Sequence, residues 1–160
     1  MVALPSPEFV DAPARCFVGL SDRFTKDTVG KIPALYERFF QAQFCPEHGL
    51  CGALFGISYN SAPEGFDYAV AVEVTGNGAV PEGACRIGTV AGRYAVFRHR
   101  GPVMEIPQLF EAIFNDWMPG AGVELAEGPV FECYPEDPDC DASDEAGMVM
   151  RYEIWVPVKG

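Results

Sequence analysis

One helix is written twice in this chain, as KIPALYERFF (Lys31–Phe40) and as EIPQLFEAIF (Glu105–Phe114). In the first copy Ile32, Leu35, Tyr36, Phe39 and Phe40 recur at helical spacing, and in the second Ile106, Leu109, Phe110, Ile113, Phe114 and Trp117 do. The pattern predicts amphipathic helices over Ile32–Gln43 and Ile106–Trp117, with Tyr36, Phe39, Phe40, Phe110 and Phe114 as core. Pro33 and Pro107 fall in the first turn, where a missing N–H is tolerated, and Pro119-Gly120 is expected to stop the second helix.

The likeness extends beyond the helices. ARCFVGL precedes the first and GRYAVFRH the second; LFGISYN and VFECYPE follow, then DYAVAVEV and RYEIWVPV. Each half reads strand, helix, strand, strand, with Val70, Val72 and Val74, or Ile154, Val156 and Val158, alternating towards the helix. A βαββ unit buries its apolar face poorly alone, so two units should pack side by side about a pseudo-twofold axis. The expected fold is α+β: two βαββ repeats, antiparallel sheets, two main helices and a central groove at the junction, where small molecules usually bind. The 160 residues form one domain, with repeats at about 8–75 and 84–160.

A formal net charge of −12, from 11 Lys+Arg against 23 Asp+Glu, argues against direct nucleic-acid binding and favours cationic partners. Pro5, Pro7, Glu8 and Asp11 interrupt the N-terminal segment, which does not read as a signal peptide, and no apolar run is long enough to cross a membrane. A cytoplasmic location is expected, with the six cysteines as thiols.

The phrases VPEGACRIGTVAGRYAVFRHRGP, LFEAIFNDWMPGAG, GPVFECY and EIWVPV, in this order around an internal repeat, resemble the GyrI-like, or AraC-type effector-binding, domain family. The resemblance covers nearly the whole chain from about Glu8. It implies a central groove for small, lipophilic and often cationic molecules, and no cofactor. The helix-turn-helix region that precedes this domain in many relatives is not found in the sequence, so direct transcriptional regulation is not expected; a separate regulator is a conceivable protein partner. Stand-alone relatives imply two alternatives to ligand capture for sequestration or sensing. One is a hydrolase opening cyclopropane rings in genotoxic natural products; the other is a gyrase-inhibitor-like interaction module.

Aligning the halves shows where their symmetry breaks. Gly56 and Ser58 stand opposite Glu132 and Tyr134, and Ala69 and Ala71 opposite Glu153 and Trp155. All are expected on one strand face, turned from the valines and from Phe55, Ile57, Phe131 and Cys133. Small residues leave space; a carboxylate among rings supplies ion pairing and cation–π attraction for a flat cation. The ligand site is therefore placed at Glu153, Trp155, Tyr134, Glu132, Trp117, Gly56 and Ala69. Glu153 leads, because in EIWVPV it matches the family's buried acidic residue, and it would be the catalytic group of an enzyme.

Other chemistry is weakly supported. Cys45, His48 and Cys51 in CPEHGLC have ligand-like spacing but no evident fourth ligand, so no metal is expected. The acidic run from Asp137 to Glu145 lacks the glycine of a calcium loop, and His99 has no nucleophile fixed beside it.

Overall fold

In a computed structural model the chain is described over residues 4–42, 53–75, 78, 80–102, 105–135 and 149–159. Cys45, His48, Cys51, Cys140 and the acidic run lie outside these residues.

Eight strands form a single antiparallel sheet: β1 (Glu8–Ala12), β2 (Cys16–Phe24), β3 (Ala53–Ala62), β4 (Gly65–Val74), β5 (Cys85–Gly88), β6 (Gly92–Pro102), β7 (Val130–Pro135) and β8 (Val149–Val158). Their order across the sheet is β1-β6-β8-β7-β3-β4-β2-β5. Exchanging β1 with β5, β2 with β6, β3 with β7 and β4 with β8 reverses this order onto itself, so the sheet has the pseudo-twofold that the repeat demands. β1 and β5, not expected from the sequence, exchange partners: each precedes one half and hydrogen-bonds to the first strand of the other.

The ladder also corrects one alignment. Phe17 pairs with Glu73 and Tyr94 with Pro157. Positions 73 and 157 are equivalent, so the repeat mate of Phe17 is Tyr94, one residue from where ARCFVGL and GRYAVFRH match by eye. A one-residue slip turns a strand over, and both Phe17 and Tyr94 lie on the face without helices.

Helix α1 (Ile32–Gln41) lays Leu35 and Phe39 on Phe24, Tyr68 and Val70. The second helix begins as α2 (Ile106–Glu111), widens into a π-helical stretch (Ala112–Trp117) and continues as α3 (Met118–Ala121). Ile106, Leu109, Ile113 and Met118 cover Ala95, Phe97, Tyr152, Ile154 and Val156. Pro119-Gly120 therefore does not stop this helix. The preceding wide turn relieves the clash a proline ring normally makes with the carbonyl four residues back. Termination comes at Gly122, whose left-handed φ of 67° closes the end with bonds from Gly122 N–H to Pro119 O and from Val123 N–H to Met118 O. Phe40, expected in the core, is 62% exposed because the first helix turns it from the sheet.

No helix among the described residues covers the opposite face, which the sheet hollows by curling. Strands in a flat sheet lie about 4.8 Å apart, yet Phe17 on β2 and Phe131 on β7, three strands away, bring their ring centroids within 5.8 Å. The sheet must curl towards this face, where Phe17, Phe55, Ile57, Ala69, Ala71, Tyr94, Val96 and Phe131 are buried together. Gly19, opposite Ala71, permits the curl: a Cβ there would lie 2.1 Å from Val70 O and 2.6 Å from the Ala71 Cβ. Gly19→Ala should destabilise the fold by about 2–4 kcal/mol, because the obstructing atoms include backbone and cannot swing aside. Urea unfolding of the variant against the parent measures this.

Candidate functional site

The pseudo-twofold axis runs through one residue pair. Position 56 maps onto 132 in the repeat, and β3 pairs with β7 so that Gly56 stands directly opposite Glu132. The axis thus carries a glycine from one half and a carboxylate from the other. Glu132 is 4% exposed, and its Oε1 accepts hydrogen bonds from Tyr134 Oη at 2.9 Å and Tyr68 Oη at 3.2 Å. Tyr68 and Tyr36 share a hydrogen bond of 2.6 Å between their hydroxyls. The Tyr134 ring meets the Tyr36 ring edge-on at 6.3 Å and lies 6.2 Å from that of Tyr152.

Each element supplies this nest for a local reason. Tyr36 sits on the inward side of α1, while Tyr68 and Tyr152 occupy equivalent positions of β4 and β8 and point towards the helices with Val70 and Ile154. Gly56 makes the space: a Cβ there would lie 2.0 Å from Tyr68 Oη and 2.7 Å from Tyr36 Oη.

Two buried polar atoms of this cluster, Glu132 Oε2 and Tyr152 Oη, have no hydrogen-bond partner among the described residues. Such atoms are uncommon in folded proteins and cost stability. Burial pushes the Glu132 carboxyl up to about 7 against the hydrogen bonds from Tyr134 and Tyr68, and burial likewise raises Tyr36, Tyr68 and Tyr134, which stay neutral. Near neutral pH the nest therefore holds a carboxyl poised between its charged and uncharged forms.

The structure divides the sequence-derived candidates between two faces. Gly56, Ser58, Glu132 and Tyr134 share the helix side with the valines, whereas Ala69, Ala71, Glu153 and Trp155 lie on the hollow face with Phe55, Phe131 and Cys133. They were expected together, but the register of β3 with β4 and of β7 with β8 sets them on opposite sides. Glu153 already has partners: Arg98 Nε at 2.9 Å and Trp155 Nε1 at 2.9 Å, with its side chain 24% exposed. Trp117 stands edge-on to Phe97 at 5.0 Å and packs on the helix-side core.

Sequence reasoning assigned Tyr36 to plain core and passed over Tyr68, Tyr152 and Arg15. The tyrosine that recurs in DYAVAVEV and RYEIWVPV was the available signal.

The open hollows lie elsewhere. One of about 840 Å³ is lined by residues including Pro5, Gln108, Asp116 and Trp117, and another of about 390 Å³ by Tyr59, Arg86, Ile87 and Pro129. Among the described residues that line them, neither holds a buried polar atom without a partner. Cys133 is no nucleophile, since burial pushes its thiol up to about 12.

The nest sets a pH dependence of stability. An unfolded Glu132 titrates near 4.5 and the folded one near 7. Between these values the folded chain holds a proton that the unfolded chain has released, so stability falls as pH rises through this window and levels off above it. Glu132→Gln should flatten this part of the profile and leave the protein more stable than the parent at pH 8, by up to about 3 kcal/mol. Unfolding free energies of both proteins at pH 5 and pH 8 provide the check.

Comparison with known proteins agrees with this architecture. Residues 5–159 match the family model of the GyrI-like small molecule binding domain. The transcriptional regulator BrlR of Pseudomonas aeruginosa is 32% identical over 134 residues, covering 79% of this chain and 47% of BrlR, so the chain spans about half the length of that relative. The structure of SAV2435 bound to tetraphenylphosphonium superposes with a TM-score of 0.72 at 20% identity, covering 96% of this chain and 94% of that one. A hydrolase from Listeria innocua superposes with a TM-score of 0.53 at 14% identity, covering 99% and 94%. At these identities the two structures speak for the fold, and the match over nearly the whole length speaks for more: the chain belongs to the GyrI-like small molecule binding domain family.

Proposed function

We propose that this chain captures lipophilic organic cations of aromatic, drug-like character at Glu132, for sequestration or sensing. The observation that carries the reading is the buried Glu132 Oε2, without a partner among the described residues, in a nest of Tyr36, Tyr68, Tyr134 and Tyr152 on the pseudo-twofold axis. A dry carboxylate attracts a cation far more strongly than one in water, and ring faces add attraction without demanding hydrogen-bond donors from the ligand. A cation that sheds its hydration easily fits this site; a small metal ion, which wants several oxygen ligands, does not. The tetraphenylphosphonium bound to SAV2435 is a ligand of this class on the same fold. Entry requires parting the Tyr36–Tyr68 hydrogen bond, which closes the nest from the side of α1.

The charge state of Glu132 ties binding to protons. A bound cation favours the carboxylate, so below pH 7 capture releases a proton and is weakened accordingly; above pH 7 the penalty disappears. The groups facing Glu132 are the hydroxyls of Tyr36, Tyr68, Tyr134 and Tyr152, all held neutral across this range.

A second reading rests on the same carboxyl. A glutamate titrating near 7 in a dry aromatic site suits general acid–base work, and the nest would then hydrolyse a strained ring such as a cyclopropane. Here Glu132 replaces Glu153 as the catalytic group, since Glu153 is held by Arg98 and Trp155.

Calorimetric titration with tetraphenylphosphonium tests the binding reading. Affinity should rise about tenfold between pH 6 and pH 8, following ionisation of Glu132. Glu132→Gln should bind about 10- to 100-fold more weakly at pH 8 and lose the pH dependence, as expected for removing a charge-assisted contact. Unchanged affinity in the variant would remove Glu132 from the site. Loss of cyclopropane-substrate turnover with retained binding would favour the hydrolase.

A further inference from the structure

The hollow face holds a charge that the helix-side nest does not use. The guanidinium carbon of Arg15 lies over four rings, 5.0 Å from the centroid of Phe55, 5.4 Å from Phe17 and 5.5 Å from both Phe131 and Trp155. Its Nε and Nη2 donate to the two carboxylate oxygens of Glu73 at 2.9 and 2.8 Å. The rings form a closed wall: Phe131 stacks on Trp155 at 5.5 Å and 14°, and Phe17, Phe55 and Phe131 contact one another at 4.7–6.1 Å. Glu153 lies close enough to act on the same charge.

Three features separate this arrangement from ordinary packing. One guanidinium stands within 5.5 Å of four ring centroids, inside cation–π range of each. The floor is dry, with Phe17 0%, Phe55 3% and Phe131 0% exposed, while Arg15 and Glu73 above it keep side-chain exposures of 20% and 23%. The charged pair therefore caps a packed aromatic floor. The Arg15 backbone is fixed independently of its side chain, with its N–H on Thr89 Oγ1 and its carbonyl accepting from Thr89 N–H, both at 2.9 Å. The guanidinium can leave without disturbing β2.

We propose that the hollow face is a second binding site, for flat guanidinium and amidinium cations, and that Arg15 occupies it in the ligand-free chain as an internal competitor that a ligand displaces. The incoming cation takes the Glu73 fork and the four ring faces that Arg15 gives up. Glu153, held by Arg98 and by Trp155 Nε1, supplies a second negative charge beside it. Because the tethered Arg15 is always present, the site rejects cations that bind no better than its own side chain. A charge without the planar fork, such as a simple ammonium, fails on geometry. The site is independent of Glu132, which points from the other side of β7.

The test reads Trp155 directly. The chain has two tryptophans, so Trp117→Phe leaves Trp155 as the sole reporter, and phenylguanidinium is titrated into that protein. A saturable fluorescence change is expected, with half-saturation at least tenfold lower in Arg15→Met. Adding Glu73→Gln to Arg15→Met should reverse that gain, and Glu132→Gln should leave the curve unaltered. Arg15→Lys, which keeps the charge and loses the fork, should fall between parent and Arg15→Met, and it carries the test if Arg15→Met does not fold. Equal half-saturation in the parent, Arg15→Met and Arg15→Lys, or no saturable change in any of them, overturns the proposal. So does a signal abolished by Glu132→Gln, which would assign phenylguanidinium to the helix side. Tetraphenylphosphonium insensitive to Glu132→Gln would sink the helix-side reading and leave this one standing.

Discussion

The missing Cβ of Gly56 is the constraint around which the helix side is organised. Through that space the hydroxyls of Tyr36 and Tyr68 approach the middle of the sheet and reach the one carboxylate buried among the described residues. Any other residue at this position would put carbon where oxygen now sits, and Glu132 would lose its link through Tyr68 to α1. A single hydrogen atom in place of a side chain therefore joins β3, β4, β7 and the first helix.

The curl of the sheet separates two chemistries that the sequence places within one residue of each other. Phe131, Glu132 and Cys133 alternate across β7, so the ring that walls the Arg15 cage and the carboxylate of the tyrosine nest are neighbours in the chain on opposite faces. On the helix side the charge is negative and lacks an ionic partner among the described residues; on the hollow side the buried charge is positive and paired with Glu73. Both clusters draw aromatic residues from both halves, so each exists only because the two repeats are joined.

Much of the fold was legible in the repeat. Period and spacing located both helices and six strands, because an amphipathic face repeated in register leaves few ways to bury it. The short edge strands β1 and β5 escaped, since a run of four or five residues is too short for its pattern to stand out from a loop. The halves' point of divergence was legible too, at Gly56 against Glu132 and Ala69 against Glu153. Which face each residue takes was not, because that depends on the register between strands, and a slip of one residue inverts it. Glu153 looked free in EIWVPV; only the pairing of β6 with β8 reveals Arg98 beside it. The role of Arg15 was hidden for the same reason, since its rings come from β2, β3, β7 and β8.

A residue on a twofold axis meets its own copy, and this limits how a duplicated chain can acquire a charged site. With glutamate in both halves, two carboxylates would face each other across β3 and β7 about 5 Å apart, repelling by roughly 3 kcal/mol even at an effective dielectric of 20. One would stay protonated to escape the repulsion, and both would crowd the tyrosine hydroxyls. With glycine in both halves there would be space and no charge. Only the asymmetric pair gives room for the tyrosine hydroxyls and a carboxylate together. Tyr68 and Tyr152 stay alike because they flank the axis at a distance, whereas Gly56 and Glu132 sit on it, so the repeats diverge where symmetry would have set either two carboxylates or none face to face.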